Sequence, residues 1–279
     1  MAAKQNRIIA LIDYSKYSEI LLKFIDNLPI KSDYKLLLLH KSLEITPVLT
    51  DSNIRSLLEQ KEIDNDKEWL KFYAKEKLIS KNDFFSMVIK DSIIDTVDLL
   101  AKDADFENLI AIGSKGTNNI KTKLLGSTTT HIIDFVESPV IVIPELQKFE
   151  ILTNCAIALS YHKRINVKQL IHNLKTYFPN IKTIDLLTVN RPKDNKAKNS
   201  MYLAEVSDVL ESHNLKITSH FFEGEDVAGR ILHFISSLDS CLLVAQKGGR
   251  SIKDKLFRKL IINELLLNLN TPLMVLNNE

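Results

Sequence analysis

The residues best placed to do chemistry are three glycines and a serine in the spacing Gly113-x2-Gly116-x9-Gly126-Ser127. They follow the apolar run Leu109–Ile112 and precede the helix-like segment Thr128–Glu137. Glycine tolerates φ > 0 and lets a ligand come close to the backbone. Free N–H groups at Gly126, Ser127 and Thr128 would then face an anion at a helix N-terminus, where the dipole favours negative charge. Ser127, Thr128 and Thr129 add hydroxyls, and Lys115, Lys121 and Lys123 add positive charge. With 7 glycines in 279 residues, this spacing is expected by chance only about 0.004 times. The pattern is neither GxxxxGK[ST] nor GxGxxG. A turn followed by a helix cap is the plain alternative.

The elements around this loop alternate between strand and helix. Ile8–Ile12, Leu36–Leu39, Phe84–Ile89, Leu109–Ile112 and Val140–Ile143 read as strands, Ile8–Ile12 as a continuous apolar run such as a parallel strand covered on both faces shows. Between them, Ile20, Leu21, Phe24, Ile25 and Leu28 recur at helical spacing after a Ser15 or Ser18 cap and end at Pro29. A charged helix spans about 54–78, with Ile54, Leu57, Leu58, Trp69, Leu70 and Tyr73 as expected core contacts. Residues 93–102 form a further helix. The alternation predicts a parallel, doubly wound sheet that binds ligands at the carboxyl ends of its strands.

The chain then repeats itself. IAIGSKGTNNIKTKLLGS at 110–127 aligns without gaps to LLVAQKGGRSIKDKLFRK at 242–259, and RIIALIDYSK aligns to NCAIALSYHK. The second set of strands is Ala156–Leu159, Ile184–Val189, Ile217–Phe222, Leu242–Ala245 and Leu273–Leu276. A repeat of half the chain implies two domains of common ancestry, placed at 1–146 and 152–279. The second copy changes the site: Asp13 becomes Ser160, Gly113 becomes Ala245, Gly126 becomes Arg258 and Ser127 becomes Lys259. Long cations where a phosphate should sit predict one anion site per chain, in the first half, and hence one nucleotide if that anion is a nucleotide's phosphate.

Composition narrows the classes. The chain is 45% hydrophobic and 26% charged, with Lys+Arg 37 against Asp+Glu 35. That is ordinary globular composition, too balanced in charge to predict a nucleic-acid partner. The basic run Lys247, Arg250, Lys253, Lys255, Arg258, Lys259 reads as a solvated face, since no aromatic platform is interleaved. No apolar run approaches the ~18 residues of a membrane span, and the N-terminus is unlike a signal peptide; the cytoplasm is the default compartment. Cys155 and Cys241 read as small buried hydrophobes. The seven histidines show no metal-ligand spacing and read as surface or capping residues, while His220 and Phe222 alternate as packing on one strand.

Three segments resemble the universal stress protein family, in its ATP-binding branch: Asp13-Tyr14-Ser15 after the first strand, GSKGTNNIKTKLLGS before the last helix, and the closing SPVIVIP. The resemblance covers nearly the whole chain as two tandem copies, with specific motifs in the first. It implies two open five-stranded sheets of strand order 3-2-1-4-5 with helices on both faces, and pairing of the halves through their last strands as an intrachain pseudo-dimer. It leaves further homodimer formation open and a protein partner unnamed. It implies ATP, or another adenine nucleotide, with Mg²⁺ as an accompanying ion. Asp13 would lie by adenine and ribose, and Lys41 would offer backbone atoms to adenine. Gly113 and Gly116 would pass ribose and phosphates; Gly126, Ser127 and Thr128 would hold the phosphates. Lys41 replaces a usual small apolar residue, and His40 beside it is also polar, as a solvated strand end would explain. Asp13 is the one acid placed at the site, so no enzyme is expected beyond slow ATP hydrolysis. A stress-response scaffold that binds no nucleotide is the alternative. An adenine-nucleotide α-hydrolase would need an SGGxDS-like loop, and DYSKYS has no glycine.

Overall fold

The computed structural model describes residues 4–29, 34–42, 52–78, 84–115, 126–145, 150–162, 164–247, 261–268 and 270–276. The first half runs β1 (Gln5–Ile12), α1 (Lys16–Asp26), β2 (Tyr34–Lys41), α2 (Ser52–Lys77), β3 (Phe84–Ile89), α3 (Ile93–Ala101), β4 (Phe106–Gly113), α4 (Ser127–Phe135) and β5 (Val140–Ile143). The second runs β6 (Asn154–Ala158), α5 (Val167–Tyr177), β7 (Thr183–Asn190), α6 (Lys196–Glu211), β8 (Lys216–Glu223), α7 (Val227–Ile235), β9 (Cys241–Gln246), α8 (261–268) and β10 (Leu273–Leu276).

All ten strands form one sheet in the order β3-β2-β1-β4-β5-β10-β9-β6-β7-β8. Each half therefore runs 3-2-1-4-5, and the two five-stranded arrays are joined rather than separate. Every pairing is parallel except the seam, where β5 and β10 run antiparallel with Val142 opposite Leu273 and Ile141 opposite Met274. The seam covers two strand edges that would otherwise present unpaired N–H and C=O groups. All eight of its residues are buried, and each side chain contributes roughly 1.5–3 kcal/mol by leaving water.

Alternation along the buried strands divides the core into two layers. Ile8, Ala10, Leu36 and Leu38 face α1 and α2, and the same layer continues under α5 and α6. Ile9, Leu11, Leu37 and Leu39 face α3 and α4, and that layer continues under α7 and α8. Both layers cross the seam. Lys247 ties the halves further, its Nζ donating to the Val136 carbonyl at the end of α4 at 3.0 Å; it is a structural contact rather than part of a solvated basic face. Arg250, Lys253, Lys255, Arg258 and Lys259 lie outside the described residues.

The long helix corrects the core assignment. In α2 only Leu70 and Ala74 are buried, with Ile63 and Tyr73 packed partly against them. Ile54, Leu57, Leu58 and Trp69 are exposed, Trp69 by 53%. The helix lies against the edge strand β3, so only one narrow side of it finds the core. Cys155 and Cys241 are buried as expected, and burial pushes both thiols up, Cys241 to about 12.

The seam should couple the two halves. Met274→Ala removes a fully buried side chain at β10 and should cost about 2–5 kcal/mol. The single tryptophan, Trp69, lies in the other half, and its fluorescence should report the lowered denaturation midpoint together with far-UV circular dichroism. A wild-type midpoint at Trp69 would show that the seam transmits nothing.

Candidate functional site

In each half the strand order reverses at the first strand, β1 or β6, and the crevice outside the carboxyl ends is the site such sheets use. In the first half a cavity of about 230 Å³ lies there. It brings together Asp13 and Lys41 with Gly113, Gly126, Ser127 and Thr128. Gly116 lies outside the described residues, as do Lys121 and Lys123; Lys115 and Gly126 bracket that segment. The same cavity is walled by Leu11, Ile112 and Ile93. Ile93 opens α3 and had no signal in the sequence beyond a helix start; only the fold carries it to this edge.

Asp13 is held by the turn that starts α1. Its Oδ1 accepts from the Ser15 N–H at 3.1 Å and from the Ser18 hydroxyl at 2.6 Å, while Ser18 Oγ accepts from the Asp13 N–H at 2.9 Å. Ser15 is the N-cap of α1, so Ser18, read from sequence only as a possible cap, instead fixes the carboxylate. The turn is made possible by Tyr14 at φ 58, a left-handed conformation that costs a non-glycine residue about 1–3 kcal/mol. Tyr14 is kept there by packing: its ring lies 4.4 Å from His40 and 5.1 Å edge-on from Tyr73. Burial, then Asp66 and Tyr73, push the Tyr14 phenol up; burial, with Glu19 and Asp13, pushes Tyr73 up to about 12.

His40 is not a solvated strand end. It is buried, and its Nδ1 donates to the Ile12 carbonyl at 2.8 Å, clamping the ends of β1 and β2 just before Asp13. Lys41, one residue on, is exposed and lines the cavity.

The glycines do less with backbone freedom than their type suggests. Gly126 sits at φ −60, ψ 135, and among the described glycines only Gly224 has positive φ. Gly113 is required by packing: a Cβ there would come 2.7 Å from Tyr17 Cβ on α1. Part of the expected donor set is also spent. The Gly126 N–H donates to Ser114 O at 3.3 Å, and the Thr129 hydroxyl, buried, donates to Gly113 O at 3.0 Å.

What remains is the start of α4. Helices α1, α3, α5, α6 and α7 are each closed by a Ser, Asn or Asp side chain accepting from a first-turn N–H. Helix α4 begins at Gly126 with no side-chain cap. Its first amides, those of Ser127 and Thr128, are accepted by no group among the described residues. A capping side chain is worth about 1 kcal/mol, and α4 forgoes it at the rim of the cavity. Among the described residues no group of three His, Cys, Asp or Glu side chains is arranged to hold a metal ion, and no helix is long and apolar enough to cross a membrane.

The corresponding crevice of the second half has different chemistry. Its cavity is about 130 Å³ and is walled by Leu187, Val189, Val227, Ile231, Ala245 and Ile262. Ser160 stands in place of Asp13. Asp194 there is bound by Arg191 at 3.2 Å and by His162 at 3.4 Å; burial alone would raise its carboxyl, but these partners hold it below the usual range. On β8, His220 bonds the buried Asp185 at 2.7 Å and packs on Phe234, a polar tie where packing alone was expected.

The Universal stress protein family profile matches residues 5–144. No curated protein matches the chain in sequence. Among solved structures, a universal stress protein from Archaeoglobus fulgidus aligns over 99% of this chain and 97% of its own, at TM-score 0.67 and 13% identity. A functionally unknown protein from Pseudomonas aeruginosa aligns over 98% and 93%, at 0.60 and 13%. The cytoplasmic domain of a prokaryotic cation chloride cotransporter aligns over 98% and 95%, at 0.50 and 10%. At such identities the likeness is one of fold.

Two substitutions separate packing from capping in thermal melts. Gly113→Ala should cost about 1–3 kcal/mol through the clash with Tyr17. Gly126→Ser supplies the missing cap and should hold stability or raise it by a few tenths of a kcal/mol. A large loss at Gly126→Ser would mean that position serves packing as Gly113 does.

Proposed function

The chain belongs to the universal stress protein family, and on that premise we propose that its first half binds ATP as a regulatory ligand while its second half is a partner without a nucleotide site. The observation that carries the reading is the uncapped N-terminus of α4 on the crevice that also holds Asp13. The residues suit an adenine nucleotide. Leu11, Ile112 and Ile93 offer apolar walls to a base. Asp13, fixed by Ser15 and Ser18, offers an acceptor to ribose hydroxyls, and Lys41 borders the base. The Ser127 and Thr128 amides and hydroxyls, with Lys115, offer donors and charge to phosphates. A Mg²⁺ arriving with the nucleotide would be held mainly through phosphates and water, with Asp13 as the carboxylate at hand.

Binding without catalysis is the better fit. Phosphoryl transfer needs a group to place the nucleophile and charge to neutralise the transition state, and Asp13 is already committed to its turn. ATP occupancy would instead bias a surface read by another protein. A scaffold that binds no nucleotide is the second reading, favoured by Gly113, whose packing against Tyr17 requires a glycine whether or not a ligand comes.

Calorimetric titration of the full chain with ATP and with AMP tests both. Wild type should bind one nucleotide per chain, and Gly126→Arg, which copies the second half, should bind at least ~10-fold more weakly with unchanged circular dichroism. Equal affinity of the two proteins would remove the site, and no binding by wild type would leave the scaffold.

A further inference from the structure

Helix α2 carries two apolar faces, and only one of them is used. At 100° per residue, Ile63, Leu70 and Ala74 point within about 20° of one direction, toward the sheet. Ile54 and Phe72 point the opposite way, and Leu57, Leu58 and Trp69 lie within about 60° of them. This outer face is open: Leu57 is 72% exposed, Phe72 54% and Trp69 53%. Trp69 and Phe72 stack on each other at 5.5 Å. The stripe runs for about 27 Å, longer than scattered surface residues account for, and contiguous exposed patches of this kind mark interaction sites.

The charges along the same helix indicate what covers it. Residues 52–66 carry four acids and two bases, and residues 67–77 carry four bases and two acids. The helix is therefore acidic toward its start and basic toward its end, which is complementary to itself when reversed. Two charged residues, Lys61 and Glu68, lie inside the stripe, are exposed, and have no ion-pair partner among the described residues. The apolar groups fall in two clusters, Ile54 with Leu57 and Leu58, and Trp69 with Phe72, with Asn65 near the midpoint.

We propose that the outer face of α2 is a homodimer surface, on which a second copy of this chain packs its own α2 antiparallel about a two-fold axis between residues 64 and 65. That register sets Leu57 of each copy against Phe72 of the other and Lys61 against Glu68. Asn65 meets its own copy beside the axis, where a polar residue fixes register at some expense of stability. The contact is isologous, as two-fold interfaces are, and uses no residue that lines the first-half crevice or pairs in the β5–β10 seam. One helix face per copy falls at the small end of interfaces, below about 1,200 Å², so the association is reversible and dependent on concentration.

Sedimentation velocity of the full chain from ~1 to ~200 µM tests this. Wild type should pass from monomer to dimer across the range. Phe72→Glu should remain monomeric with unchanged circular dichroism. Lys61→Glu should weaken the dimer at least ~10-fold, and the double variant Lys61→Glu/Glu68→Lys should recover to within a few-fold of wild type. Asn65→Cys should form a disulfide-linked dimer under mild oxidation, the two native cysteines being buried. A wild type that stays monomeric, a dimer indifferent to Phe72→Glu, or a charge reversal that does not restore association would each overturn the proposal. None of these outcomes depends on nucleotide binding.

Discussion

The first amides of an α-helix have no partner within the helix, and a fold must close them, hydrate them or lend them to a ligand. Here five helices are closed by side chains and α4 is not. The rest of the first half is arranged around that open end. Gly113 lets α1 lie against the last residue of β4, which brings the Asp13 turn to the same crevice as Ser127 and Thr128. Tyr14 accepts an unfavourable backbone conformation beside Asp13, and His40 anchors the strand end beneath it. Strain of this kind persists only where the surroundings over-determine it, and it gathers at functional sites.

The second half shows which features serve the fold alone. It repeats the strand order and both core layers, yet its crevice is smaller, has its carboxylate Asp194 engaged by Arg191 and His162, and has Ala245 where the first half has Gly113. Its contribution to the molecule is the seam: β10 closes the edge of β5, and Lys247 reaches across to the end of α4. A nucleotide-induced change at the start of α4 would thus be felt at its far end by a residue of the other half. The two strands left at the ends of the sheet, β3 and β8, are the least buried, which is where edge strands normally face solvent or partners.

Strands were legible as short, mainly apolar runs between helical patterns, and Phe84–Ile89, Val140–Ile143 and Leu273–Leu276 appear with the predicted bounds. The last two pair with each other, antiparallel, at the seam. Helix α2 was misread for the opposite reason. Helical spacing identifies a face but not its destination, so Trp69 and Leu57 looked like core although Leu70 and Ala74 occupy it. At the crevice, the motif residues were legible by spacing, whereas the hydrogen-bond accounting was not. Whether the Gly126 amide or the Thr129 hydroxyl is free depends on Ser114 and Gly113 carbonyls placed by the fold. The role of Ser18, and the burial of His40, likewise arise from contacts between segments that no local pattern encodes.

The central claim concerns two backbone amides, and it can be read at those atoms. Amide chemical shifts followed by ¹⁵N-resolved NMR during an ATP titration should move saturably at Ser127 and Thr128, with Asp13 and Ser15 following, while the residues around Ala245 in the second half stay still. Amides of Ser127 and Thr128 that do not respond to saturating ATP, or a response centred on the second half, would contradict the account.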